Sequence, residues 1–572
     1  MKSIEQFISY LFATKKNRFM LFFFVLIILS LLSTYLLDPI SRGIDFHFHL
    51  RRFTSLIDAL KDGNLISYLD YNALGGYGYM SNTFYPDLTL IPFALVGIFT
   101  GPVFAYKFAL FTMSILCGYF TYRTVDIIFK SPLAGYIAAI LYTFCSYRLF
   151  DYFHRSALGE IFTFTFVPII ILGLYYIING NYKKWYLITI GFSLMIFSHA
   201  VSSLLMSIAV ILILLFNIRK LIKEPKRIVY LVIAGFATIL ITSYYIFPML
   251  EQSLSTRFYF NTHTWYTANN FRLGIYWLIC GMTTGPTYLD LIEPPKLGLL
   301  LTFVICLRVF VKKVANSNNT ELKIADKFVI IAFILLFMVS KAFPWSVFPF
   351  NKLGFIQFPW RLFEFISFFF AVAGGYYISQ IAVPKKQLLI LAMGLAFYAG
   401  FVIVSDSKVV KESFAEPMFV DYQTNEPNLA NHYLGSGREY LPAKIKSPEE
   451  LLSQRKDSVK SASEKVEISS LNRNKGVLSF DITAANADVL ELPLIYYKGY
   501  DITLNGKELP VTESENGLIN IPVDQSGRIE AYYAGTIIQT ISFCITALSI
   551  IALCIYIYIS RKRRKRILIG LG

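Results

Sequence analysis

Runs of about 15 to 25 mostly apolar residues recur along almost the whole chain, beginning at 19–37 and ending at 536–559. Each is long enough to cross a hydrocarbon layer of about 30 Å as a helix, which satisfies its own backbone polar groups inside the bilayer. With 55% hydrophobic residues, 17% aromatic residues and a mean hydropathy of +0.53, the 572 residues are too apolar for a soluble core. The chain therefore reads as a polytopic membrane protein. Its first run lacks a small-residue cleavage site and is followed by Pro39 and charges, the pattern of a retained helix. A formal net charge of +16 could suit nucleic acid, but the basic residues sit in short loops between apolar runs, so no nucleic-acid partner is expected.

The basic loops set the expected topology, because Lys and Arg concentrate in short cytoplasmic loops. Lys15, Lys16 and Arg18 place the N-terminus inside, residues 38–102 outside, and "NGNYKK", "NIRKLIKEPKR", "VPKK" and "RKRRKR" inside. This predicts about twelve transmembrane helices with both termini cytoplasmic, and a run at 185–217 split in two at "SHAVSS". The apolar stretch 88–100 is expected to lie at the outer surface, since a spanning helix there would invert the charge pattern that follows. All six histidines, His47, His49, His154, His199, His263 and His432, then fall outside or at outer helix ends. The six cysteines lie in or beside apolar segments, with no CxxC pair, so neither a disulfide framework nor a zinc site is expected.

Residues 405–533 have soluble composition. A polar first part, expected as loop and short helix, precedes alternating stretches "VEISSL", "GVLSFDIT", "YDITLNGKELPVT" and "LINIPV", with Asn505-Gly506 as a hairpin turn. The expected architecture is an all-α membrane domain at 1–404 with a first outer loop 38–102, a small extracytoplasmic β-rich domain at 405–533, and a last helix with a basic tail at 534–572. The β-rich module would bind an acceptor or cap the membrane domain.

The charged outer stretches hold the candidate chemistry. "SRGIDFHFHLRRF" (41–53) places Asp45, His47, His49, Arg51 and Arg52 beside an apolar run, and "FDYFHRSALGE" brings Asp151, His154, Arg155 and Glu160 to neighbouring helix mouths. "GFIQFPWRLFEF" adds Arg361 on the same side. Ionisable groups at that depth are costly without a partner or a function. Carboxylates and cations together suit a substrate with a phosphate and a lipid tail. Glu160 and Arg155 could equally pair with each other, Asp45 could be solvated at the interface, and Arg361 could snorkel to headgroups. Asp45 and His49, four apart on an expected amphipathic helix, are the pair that could share a divalent cation or a hydrogen bond. "NALGGYGYMSNTFYPD" offers glycines for close approach and Tyr77 and Tyr85 as sugar-stacking rings, or an ordinary turn with interfacial aromatics. His199 reads first as a capping or packing residue and second as a site-lining one.

The ordered strings "GIDFHFHLRRFTSLIDALKDGNL", "LGGYGYMSNTFYPDL", "HRSALGE", "FSHAVSSLL", "IQFPWRL" and "GREYLP" cover most of the chain. On them the chain resembles the C-superfamily of integral membrane glycosyltransferases (GT-C). The resemblance is nearer still to bacterial membrane proteins called 6-pyruvoyl-tetrahydropterin-synthase-related, and looser to YfhO-like proteins. Nothing in the sequence supports pterin chemistry. The resemblance implies a GT-C-like membrane domain in the bacterial cytoplasmic membrane. It also implies transfer of a sugar from a polyprenyl-phosphate donor to a glycan or glycolipid acceptor of the cell envelope, on the extracytoplasmic face. Asp45 would be the general base and Glu160 the second-loop acid. Arg155 and Arg361 would neutralise the donor phosphate, while His49, Arg51, Tyr77, Tyr85, His154 and His199 would line the substrate site. A lipid-linked glycan flippase would want ionisable groups at the bilayer midplane and internal repeats, which are not evident. A non-catalytic envelope-assembly scaffold, or a polymer ligase with a larger donor, stays open.

Overall fold

The computed structural model describes residues 14–36, 43–262, 267–283, 295–311, 319–381, 385–413, 437–446, 455, 457–463, 466–484 and 486–569. His263, His432 and much of the polar stretch 422–465, expected as loop and short helix, lie outside them. Among the described residues, eight helices are long and apolar enough to cross a membrane. They are Lys15–Leu36, Pro102–Phe129, Pro132–Arg155, Leu158–Asn179, Lys226–Ser253, Pro359–Gln380, Ile390–Ser407 and Ile537–Lys562. The other four expected spans are helical but shorter or more charged. The run 185–217 breaks into Tyr186–Ile196 and Ala200–Leu215, and Leu299–Cys306 passes into a 3-10 turn, Leu307–Phe310. Thr320–Val339 carries Glu321, Lys323, Asp326 and Lys327 in its first turns. The stretch 88–100 contains helix Ile91–Thr100, whose ten residues rise only about 15 Å, half a hydrocarbon layer.

The chain forms two compact units. The first comprises 1–46, 107–238 and 265–419. At its centre, helix Phe363–Gln380 is buried nearly all round and packs on Pro132–Thr143 and Thr320–Val339. Its phenylalanine-rich sequence has almost no polar face, as a helix enclosed by others requires.

The second unit comprises 47–106, 239–264 and 420–572. Its strands are β1 (Lys460–Ser461), β2 (Val466–Asn474), β3 (Val477–Ala484), β4 (Asp488–Ile495), β5 (Tyr500–Leu504), β6 (Lys507–Glu508), β7 (Thr512–Glu513), β8 (Leu518–Val523) and β9 (Gly527–Tyr533). They make two antiparallel sheets, ordered β1-β4-β8-β7 and β2-β3-β9-β5-β6. Alternating side chains such as Leu478, Phe480 and Ile482 on β3, and Ile519 and Ile521 on β8, fill one apolar core. The β5-β6 hairpin turns at Asn505 (φ 51°) and Gly506 (φ 80°), the paired left-handed residues of a two-residue turn that the Asn-Gly dipeptide favours.

Two differences from the expected boundaries have physical causes. Helix Lys385–Ser413 runs past the boundary expected at 405. The first outer segment, expected with the membrane domain, shares a core with the sandwich: Leu69, Leu74, Tyr77, Tyr79, Met80 and Phe84 pack with Leu441, Ile495, Tyr497 and Leu518. The glycine-rich loop makes this docking possible. Gly76 (φ +94°) turns its carbonyl to accept from Arg473 Nη1 at 2.7 Å, and a Cβ there would press on the Arg473 side chain at 3.0 Å. Arg473 also donates to Pro493 O at 2.8 Å and to Asp457 at 2.7 Å. Arg473→Ala removes these charge-assisted bonds and is expected to destabilise the packing of 69–84 on the sandwich by about 2 kcal/mol. Hydrogen exchange should then show faster exchange in both segments and leave helix Phe363–Gln380 unaffected.

Candidate functional site

In the first unit, the chain just before helix Phe46–Lys61 lies against the end of span Pro132–Arg155. The Ile44 N–H donates to His154 O at 3.2 Å, and the Asp45 N–H to Arg155 O at 2.8 Å. Residues Asp151–Arg155 form one wide π-turn closed by Ser156 in the left-handed region (φ 54°), which turns the 154 and 155 carbonyls outward from the helix ladder. Gly43 is required at this crossing, since a Cβ would collide with Ser156 Oγ. Asp45 is thereby fixed, half-buried, close enough to Arg155 to act on it electrostatically.

Below this turn lies a buried charge cluster. Glu160, in the first turn of Leu158–Asn179, uses both carboxylate oxygens: Oε1 accepts from Tyr147 Oη at 2.5 Å, and Oε2 accepts from Arg155 Nη1 at 2.8 Å and Arg361 Nε at 3.3 Å. Arg155 Nη1 also donates to Asp151 Oδ1 at 2.8 Å. Arg361 Nη1 donates to Ile356 O at 2.8 Å. The Phe358 ring lies under both cations, 5.7 Å from Arg155 Cζ and 5.0 Å from Arg361 Cζ. Among the described residues, Asp151 Oδ2 and both Glu364 oxygens are buried without a hydrogen-bond partner. The Thr163 hydroxyl, which donates to Glu160 O at 2.6 Å, and the Ser202 hydroxyl, 2.9 Å from His199 Nδ1, lie beside Glu364.

The sequence-predicted residues separate accordingly. Arg155, Glu160 and Arg361 meet in the first unit, and Asp45 is tied to Arg155 through its backbone N–H. The pairing of Glu160 with Arg155 is the arrangement found, and Arg361 is buried on Glu160, so snorkelling to headgroups is corrected. His199 caps helix Ala200–Leu215 by accepting from Ser202 N at 3.3 Å, and His154 stacks on Phe150 at 5.2 Å.

The remaining candidates belong to the second unit. Arg51, expected to bind substrate, is locked bidentately to Asp70 at 2.7 and 2.8 Å. Its neighbour Arg52, about 100° round the helix, is fully buried: it donates to Pro86 O at 2.5 Å, meets His49 Nδ1 at 3.2 Å and lies 4.3 Å over the Tyr85 ring. Tyr77 is buried in the shared core and presents no face to a sugar, because the docking of its loop on the sandwich encloses it. His49 Nδ1 faces a guanidinium, which is the wrong neighbour for a divalent cation. No group of three His, Cys, Asp or Glu side chains among the described residues could hold a metal ion. Asp45 belongs to the first unit and His49, with its Nδ1 on Arg52, to the second.

Sequence reasoning missed Glu364, Phe358 and Asp87, and gave Arg52 and Asp151 no role. Glu364 follows Arg361 by three residues inside a phenylalanine-rich helix, a placement that itself signals a special role. Asp87 is buried and, among the described residues, its Oδ2 has no hydrogen-bond partner; burial pushes its carboxyl up to about 7, against the opposing pull of Arg52. Burial likewise pushes the His47 imidazole down from its ordinary range.

No family model matches the chain. A protein of Lactococcus lactis subsp. cremoris (strain MG1363), named only as an uncharacterized protein, is 25% identical over 605 aligned positions, covering 95% of this chain and 96% of that protein. Among solved structures, a single-particle cryo-EM structure of the arabinofuranosyltransferase AftD from Mycobacteria matches 68% of the chain at 13% identity with a TM-score of 0.44. The chain spans 27% of that protein's length.

Two outcomes follow from the site geometry. Glu160→Ala strands two buried guanidiniums and is expected to cost about 3–5 kcal/mol, read as a large drop in unfolding temperature in detergent. For Asp87, the folded carboxyl titrates above its unfolded value of 3.8, so its contribution to stability is full below that value and is lost as pH rises towards 7. Asp87→Asn should therefore flatten the fall in stability of the second unit between pH 4 and 7 by up to about 1.4 kcal/mol per pH unit, measured by thermal unfolding across that range.

Proposed function

We propose that the protein is an integral membrane glycosyltransferase that moves a sugar from a polyprenyl-phosphate donor to an envelope glycan or glycolipid on the extracytoplasmic side of a bacterial cytoplasmic membrane. The observation that carries this reading is the convergence of a half-buried carboxylate, Asp45, with two buried guanidiniums held by one carboxylate at a helix mouth. The ordered resemblance to GT-C enzymes supports the substrate class, and the basic loops support the orientation.

In this reading Asp45 accepts the acceptor hydroxyl's proton as its oxygen bonds to the anomeric carbon, while the bond from that carbon to the donor phosphate oxygen breaks. The electron pair leaves with the polyprenyl phosphate, and the negative charge that develops needs fixed cations. Among the described residues, Arg155 Nε and Nη2 and Arg361 Nη2 have no hydrogen-bond partner, and these edges are left to meet a phosphate. Glu160, with both oxygens engaged, acts as a positioning residue that presents the two guanidiniums. Phe358 fixes their separation from below.

The test compares lipid-linked and wall-linked glycans in cells lacking the protein and complemented with wild type, Asp45→Asn or Arg361→Gln at matched membrane levels. Loss of one sugar modification with build-up of its polyprenyl-phosphate donor is expected, rescued by wild type and by neither variant. Full rescue by both variants would sink the assignment in favour of transport or scaffolding.

A further inference from the structure

In the first unit, two helical stripes line an apolar groove. On Leu158–Asn179 the stripe is Ile171, Leu174, Tyr175 and Ile178, spaced i, i+3, i+4, i+7. On Thr320–Val339 the same spacing selects Ile324, Lys327, Phe328 and Ile331, so one position of an otherwise apolar stripe is a lysine. The groove's apolar walls favour a hydrocarbon end there over water.

The rim is cationic. Lys327 Nζ donates to Phe216 O at 3.1 Å and Asn217 Oδ1 at 3.0 Å, at the C-terminal end of Ala200–Leu215. Lys220, its charged neighbour, donates to Asn179 Oδ1 at 2.6 Å. An ammonium has three donors, so each lysine keeps at least one. The nearby carboxylates are already committed: Glu321 to Lys130 at 3.0 Å, Glu224 to Arg227 at 2.8 Å and Asp326 to Arg308 at 2.7 Å. Two adjacent ammonium groups thus stand at the mouth of an apolar groove with no carboxylate of their own among the described residues. A phosphodiester would relieve their repulsion, and an attached hydrocarbon chain would follow the stripes.

We propose that this groove binds one anionic phospholipid of the bilayer, its phosphate on Lys220 and Lys327 and an acyl chain along the Ile171–Ile178 and Ile324–Ile331 stripes. Basic pockets between membrane helices hold anionic headgroups by this combination of charge and apolar surface. The site is independent of sugar transfer and involves none of the residues given roles in it.

The full-length protein is purified in mild detergent, equilibrated with equal phosphatidylglycerol and phosphatidylcholine, and read by native mass spectrometry. One retained phosphatidylglycerol is expected in clear preference to phosphatidylcholine. Lys220→Gln, an exposed change that keeps a hydrogen-bonding side chain, is expected to cut that preference about fivefold. Ile324→Trp, which fills the half-buried mouth of the groove, should remove the bound lipid of either kind. Equal retention of the two lipids by wild type overturns the proposal, as does a phosphatidylglycerol preference unchanged in Lys220→Gln and in Ile324→Trp.

Discussion

One carboxylate, Glu160, holds the charged centre of the first unit together. Two guanidiniums buried in a helical bundle would each cost several kcal/mol to desolvate alone, and here they share one acceptor oxygen, with a tyrosine hydroxyl on the other. The partners come from three separate places in the chain: Tyr147 precedes the π-turn and Arg155 ends it, Glu160 opens the next helix, and Arg361 enters from a 3-10 turn about 200 residues later. The helix mouths therefore cannot separate without stranding charge. The arrangement is preorganised: the cations are oriented by the protein before any ligand arrives, which is the condition under which fixed charges stabilise a developing anion most.

Much of the fold was legible because apolar runs of membrane length have a single structural solution. The eight long apolar helices, the break at His199 and strands β2, β3, β5 and β8 follow from periodicity, whereas β4 and β9 did not stand out, and the hairpin follows from two residues, Asn505 and Gly506. The segregation of Arg51 from Arg52 was not legible. Both sit on one helix beside the same loop, and only the tertiary positions of Asp70 and Tyr85 decide which is tied down in an ion pair and which is stacked on a ring. Tyr77 misled for a related reason: a Gly-Tyr loop looks the same whether it faces a sugar or a β-sandwich. The partnership of residues 69–84 with a domain about 400 residues downstream leaves no local trace, so the division of the chain into units was read differently from its sequence.

In the candidate site, the charged residue types announced themselves by their cost in an apolar setting, whereas Phe358 did not. A phenylalanine next to a proline and a tryptophan reads as ordinary packing, and its role beneath two cations exists only once Arg155 is brought to it. Glu364 was visible by the same rule that singled out Glu160, an ionisable group inside an apolar helix, yet its surroundings are a property of the folded interior alone.

The contact that fixes Asp45 is made of peptide groups, from the N–H groups of Ile44 and Asp45 to the carbonyls of His154 and Arg155. Side chains at 44 and 154 can therefore change over evolutionary time without moving the carboxylate, because every residue except proline supplies the same donor and every residue the same acceptor. The constraint falls instead on shape, on the absence of a side chain at Gly43 and on the left-handed turn at Ser156. Among divergent sequences that keep this crossing, positional variation in the motif is thus expected to concentrate in the residues that look most chemical, while its least conspicuous member, a glycine, carries the memory of the geometry.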